Sequence, residues 1–184
     1  MSDIKIINDP VFGFIKIPRG LILNVICHPL MQRLTRIRQL GMASVVYPGA
    51  QHTRFLHSIG AFHLVSEALL SLQQKGVFIF ESEVEAVQIA ILLHDIGHGP
   101  FSHVLENSLI SGISHEDISL LMMEKMNREM DGMLTLAIKI FKDEYPKRFL
   151  HQGKTMLDIK RIRENFEEVA TALGNRGVDR ATVE

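Results

Sequence analysis

Residues 92–103 read LLHDIGHGPFSH, an apolar run that ends by setting three histidines and an aspartate among two glycines and a proline. No other feature restricts the fold as much. Ile91, His94 and Asp95 fall on one stripe at helical spacing, so an imidazole and a carboxylate continue an apolar face. A carboxylate buried without a partner is costly, and another element must therefore bring it a counterpart. Gly97, Gly99 and Pro100 argue against one continuous helix through His98 and His103.

The counterpart is sought in the longest helical pattern, expected from about Thr53 to Lys75 with Gly76 as its stop. Arg54, His57, Ala61, Leu64 and Ala68 share one face of it, which turns His57 inward. Ser82 with Glu85 has the form of a capping box for the helix that leads into His94. Ser114 with Asp117 repeats that form and puts His115 in a first helical turn. Leu121, Met122, Met126, Met130 and Met133 follow as core filler. Upstream, Leu21 to Ile26 is a short helix closed by Pro29, and Leu30, Leu34 and Ile37 predict another up to Leu40 and Gly41. Residues 44–51, SVVYPGAQ, read as an extended piece and a turn. Residues 3–17 hold two β-rich runs about Asn8-Asp9-Pro10 and Gly13, a small hairpin. The expected fold class is all-α with a small N-terminal β-hairpin.

A chain of 184 residues with 46% hydrophobic content fits one domain with a sizeable core. Twenty Lys plus Arg against 21 Asp plus Glu give a net charge of -1, with no general pull toward nucleic acid or an anionic membrane. Cys27 is the single cysteine, which excludes an internal disulfide and a thiolate cage and suits a reducing compartment. The start, MSDIKIINDP, lacks the basic-then-apolar order of a secretion signal, and a cytoplasmic location is expected.

A lone inward histidine is commonly a hydrogen-bonded core residue. Two of them beside a carboxylate favour a divalent cation held by His57, His94 and Asp95. Imidazole with carboxylate suits iron, manganese, zinc, nickel or magnesium, and residue types do not choose among them. His98, His103 and His115 are expected at the mouth of the site, where imidazoles pass protons near neutral pH or neutralise phosphate oxygens. The alternative for His103 and His115 is a capping role in loops. HDIGH also has the spacing of the HExxH zinc-protease helix, but Gly97 and the Gly99-Pro100 break work against that helix and Asp is shorter than the Glu that acts there.

TRFLHS and LLHDIGHGPFSH resemble the segments that supply the first three metal ligands in the HD-domain metal-dependent phosphohydrolases, an all-helical fold. The resemblance extends to the deoxynucleoside triphosphate triphosphohydrolase branch, through NDPVFGFIKI, QRLTRIRQLG, YPGAQHTRFLHSIG, LLHDIGHGPFSH and SHED in that order, over about residues 4–150. It implies a metal-centred site that releases triphosphate from a deoxynucleotide. Gln39 would contact the sugar, Arg54 the phosphates, and His98, His103 and His115 would be catalytic or phosphate-facing. A nucleotide substrate and a homo-oligomer are the partners expected.

The sequence departs from that branch at three places. Cys27 and Thr35 stand where an acidic residue and an arginine would meet a guanine-nucleotide effector, although Lys5, Asn8 and Gln32 are kept, which argues against such activation. The branch's fourth metal ligand, a distal aspartate, has no matching segment here, and Asp117, Asp131 and Asp143 lie in other surroundings. From Met156, MLDIKRIRENFEEVATALGNRGVD resembles the opening of a seryl-tRNA synthetase, or else an amphipathic helix with Leu157, Ile159, Ile162, Phe166 and Val169 on its apolar side. The expected organisation is an HD domain over 1–150, truncated on its C-terminal side, and a helical tail over 151–184 acquired at a join. The rival to an enzyme is a noncatalytic nucleotide-binding or oligomerisation module, or an inactive fragment. Arg33, Arg36 and Arg38 read as a solvated helix face.

Overall fold

Alternation in the second of the two β-rich runs does what a half-buried strand requires: Ile15 and Ile17 are buried while Phe14 and Lys16 face outward. They lie on β2 (Gly13–Pro18), paired antiparallel with β1 (Ile4–Asp9) in a register that sets Asn8 opposite Phe14. The Asp9 carboxylate accepts the Val11 and Phe12 N–H groups at 2.8 and 3.0 Å and so shapes the turn. The turn's Phe12 lies on Gly60, where an added Cβ would come within 2.9 Å of the ring.

The computed structural model describes residues 4–101 and 114–144. His103 and the tail over 151–184, with its synthetase-like segment, lie outside the described residues. The helical expectation is met by α1 (Leu21–Cys27), α2 (Pro29–Gln32), α3 (Arg54–Gln74), α4 (Glu81–Leu93), α5 (His115–Glu129) and α6 (Thr135–Phe141). Packing of α4 against α1, α3 and α6 puts the core around α4, whose last residues, Ile89 to Leu93, are all buried.

Several local expectations shift. The helix expected from Leu30 to Leu40 stops at Gln32, continues as a 3-10 turn over Arg33–Arg36, and then opens. Arg38 bridges Thr53, the Gln39 N–H reaches the His52 carbonyl at 3.0 Å, and the Arg54 N–H reaches the Ile37 carbonyl at 2.8 Å. Those bonds require extended backbone at 37–39, and they outweigh the apolar spacing. A 3-10 helix over Gly41–Val45 takes in Ser44 and Val45, the first residues of the expected extended piece. α4 starts one residue before Ser82, because Glu83 accepts the Phe80 N–H at 3.0 Å.

The ends of α3 follow expectation: Thr53 accepts the Leu56 N–H, and Gly76 takes φ +80 while the Val77 N–H closes on the Leu72 carbonyl. Its buried stripe does not. Ser58, Phe62, Val65 and Leu69 face the core, one position round from the expected set, so His57 sits on the rim of the stripe. α3 is also long and apolar enough, by length and composition, to cross a membrane. Here its apolar stripe is packed on α4. The reciprocal Ser114–Asp117 cap of α5 forms as expected, at 2.9 and 3.1 Å. Met123 and Met126 are the buried methionines of that helix, whereas Leu121 and Met133 are exposed.

Candidate metal centre

The first turn of α3 carries His57, and the end of α4 carries His94 and then Asp95. The His57 and His94 Nε2 atoms are 3.3 Å apart; from the Asp95 carboxylate His94 Nε2 is 3.3 Å and His57 Nε2 3.7 Å. One donor atom from each of the three lies within 4.8 Å of the others. His94 Nδ1 sits 2.7 Å from the Ile91 carbonyl, which can only accept, so Nδ1 carries the proton and Nε2 turns its lone pair to the centre. Two ring nitrogens facing each other beside a carboxylate fit a shared divalent cation. In its absence a proton on Nε2 of the neutral His57 ring relieves the lone-pair conflict, so loading would move that proton to Nδ1. Among the described residues no other His, Cys, Asp or Glu joins the cluster, and Asp117, Asp131 and Asp143 stand apart from it.

Arg54, expected to meet phosphate, is buried and donates from Nη1 to the Asp95 carboxylate at 3.0 Å. The other carboxylate oxygen faces His94 and lies 3.9 Å from His98 Nδ1. Burial pushes the Asp95 carboxyl upward, but His94, His98, His57 and Arg54 outweigh it and hold it down at about 2. Burial, aided by His94, lowers His57 to about 4 against the opposing pull of Asp95. His57 is therefore neutral, as a metal ligand must be, through the whole of pH 5 to 7. Because its folded value lies below its unfolded value near 6.5, the unfolded chain takes up the proton first, and stability falls as pH drops from about 6.5 toward 4. We expect this segment of the pH dependence to vanish in metal-free His57→Gln, which urea denaturation at several pH values measures.

His98 is buried, and its ring centroid lies 4.1 Å from that of half-buried His115 at the start of α5. This approach depends on Gly97. An added Cβ there would lie 2.2 Å from the His115 carbonyl oxygen and 2.4 Å from the Ser119 nitrogen, so α5 rests directly on that backbone. Gly97 reads in the sequence as a helix breaker; its space requirement comes from a long-range contact. The bridge between Arg38 and Thr53 carries Gln39 to the start of α3, and its buried Oε1 atom has no hydrogen-bond partner among the described residues, an acceptor suited to a ligand hydroxyl. Arg36 and Arg38 are exposed, as a solvated face requires, but Arg33 is not part of that face: its guanidinium turns inward to the Ile96 and His98 carbonyls. Sequence reasoning also missed Ser119, which is buried against the same backbone.

The family profile described as HD domain matches residues 54–172. This chain belongs to the HD-domain family. The family match takes in His57, His94 and Asp95 and continues beyond residue 150. The HD chain is 44% identical over 108 residues to the deoxynucleoside triphosphate triphosphohydrolase SAMHD1 of Danio rerio, covering 58% of this chain and 17% of that protein. It is 40% identical over 134 residues to SAMHD1 of Homo sapiens, covering 68% and 21%. A crystallised phosphohydrolase of Bacteroides thetaiotaomicron superposes with a TM-score of 0.78 at 64% identity, covering 93% of this chain and 43% of that one. The chain thus spans about a fifth of the length of these curated relatives.

Proposed function

We propose that this HD domain hydrolyses a phosphoester of a deoxynucleoside triphosphate, releasing triphosphate and a nucleoside. The observation that carries the reading is the convergence of His57, His94 and Asp95 within 4.8 Å, with Arg54 bonded to the same carboxylate. The kinship with SAMHD1 triphosphohydrolases supports the substrate class. His57, His94 and Asp95 would hold a divalent ion, which when bound acidifies water and neutralises charge on phosphate oxygens. Arg54 fixes the carboxylate, and a further N–H of its fork would have to serve any phosphate contact. Gln39 would accept a hydrogen bond from the sugar through Oε1. His115, nearer solvent than His98, would exchange the proton at the leaving or attacking oxygen, with His98 behind it. His103 is assigned to the same mouth from its sequence motif alone.

The test is product analysis by 31P NMR with mixed deoxynucleoside triphosphates and added manganese. Inorganic triphosphate with nucleoside is expected; orthophosphate or pyrophosphate as first product would replace this reaction with another. His115→Ala is expected to slow release by about 10²-fold or more while leaving metal content unchanged. Metal-loaded, folded wild type that turns over nothing would instead favour the noncatalytic nucleotide-binding module.

A further inference from the structure

We infer that Arg33 and Ser119 are positioning residues that together clamp the backbone of residues 94–98 and thereby set the metal-ligand geometry. This rests on the metal reading above. The turn runs on from α4 with the Ile96 N–H on the Leu93 carbonyl and the His98 N–H on the Asp95 carbonyl, both at 3.1 Å, and its ligands are useful only if its backbone is fixed. Two side chains from separate elements fix it. The Arg33 guanidinium, from the 3-10 turn after α2, donates through Nη1 to the His98 carbonyl at 3.0 Å and through Nη2 to the Ile96 carbonyl. Ser119, from the second turn of α5, accepts the Gly97 N–H on Oγ at 2.9 Å and donates to the His94 carbonyl at 3.3 Å.

Four backbone groups between His94 and His98 are thus held by two side chains. Each would otherwise be a buried polar group in need of a partner, since residues 91–98 are all buried. The planar fork of arginine suits two carbonyls two residues apart, and a lysine ammonium would reach them as a single point. Met122 sulfur lies 3.7 Å from Arg33 Nη2, so α5 also braces the clamp from the side. Ser119 has no spare room either, because its nitrogen and Oγ lie against Gly97. The bonds of Arg33 and Ser119 end on backbone groups and on the Met122 sulfur, so both act through the backbone that carries His94, Asp95 and His98.

The experiment is a manganese-binding isotherm on wild type, Arg33→Ala, Arg33→Lys and Ser119→Ala, each shown to be folded by its thermal melt, with and without millimolar guanidinium ion. We expect Arg33→Ala and Ser119→Ala to bind manganese about tenfold more weakly, as loss of supporting contacts does at metal sites. Guanidinium is expected to restore Arg33→Ala at least half-way and to leave Ser119→Ala unmoved, with Arg33→Lys weakened as well. Folded variants with manganese affinity within twofold of wild type overturn the clamp, as does a loss in Arg33→Ala that guanidinium leaves in place. Wild type that takes up no manganese overturns the clamp together with the metal reading. Wild type that binds manganese but releases no triphosphate overturns the proposed reaction and leaves the clamp to be decided by the variants.

Discussion

Gly97→Ala is expected to lower stability by about 3 kcal/mol, the upper end of what over-packing a core costs, and to strip the site of metal. The methyl group would meet the His115 carbonyl oxygen at 2.2 Å and the Ser119 nitrogen at 2.4 Å, and both are backbone atoms of α5. A flexible side chain could swing aside; a helix backbone must shift as a unit. That shift would separate His98 from His115 and loosen the Ser119 bonds to Gly97 and His94. Chemical denaturation of the metal-free protein measures the stability term, and manganese uptake measures the site. A Gly97→Ala chain with wild-type stability would mean that α5 does not rest on this turn. Gly99→Ala is the control, because among the described residues nothing lies within 4 Å of a Cβ built there.

Asp95→Ala should produce the other large effect, for two reasons that can be separated. It removes one of three ligands, and it removes the carboxylate bonded to buried Arg54 at 3.0 Å. Breaking a buried ion pair from one side leaves a charge without its compensation, which costs on the order of 3 kcal/mol. The pair Arg54→Leu with Asp95→Ala is expected to recover part of that stability and none of the metal binding. Measurements with chelator present isolate the folding term from metal linkage. If the single variant is as stable as wild type without metal, the Arg54–Asp95 pair contributes nothing to the fold. The same substitution removes the carboxyl held at about 2, so its share of the stability lost as pH falls from about 4 toward 2 should go with it.

The elements around this site were legible where local rules act alone. Thr53, Ser114 and Gly76 mark helix ends through their own backbone chemistry, and the structure uses all three. The pairing of His57 with His94 and Asp95 was legible because polar groups on apolar stripes need one another. What local pattern missed came from contacts distant in sequence. Ile37 has helical spacing but is drawn out by Arg54, and Arg33 has the look of a surface charge but reaches Ile96 and His98. Arg54 is buried as its place on the stripe required, but from His57 onward the stripe of α3 was placed one position off, the core taking Ser58, Phe62, Val65 and Leu69. His57 lies on the rim, where a ligand is reached by both the core and the site. Asp117 was legible as a cap, and Ser114 engages its carboxylate.

The proposed ion site of His57, His94 and Asp95 is decided by elemental analysis of the purified wild-type chain and of folded His57→Ala. About one divalent ion per wild-type chain is expected, and a large loss in the variant. Equal metal content in the two proteins, or none in either after exposure to manganese, would contradict it.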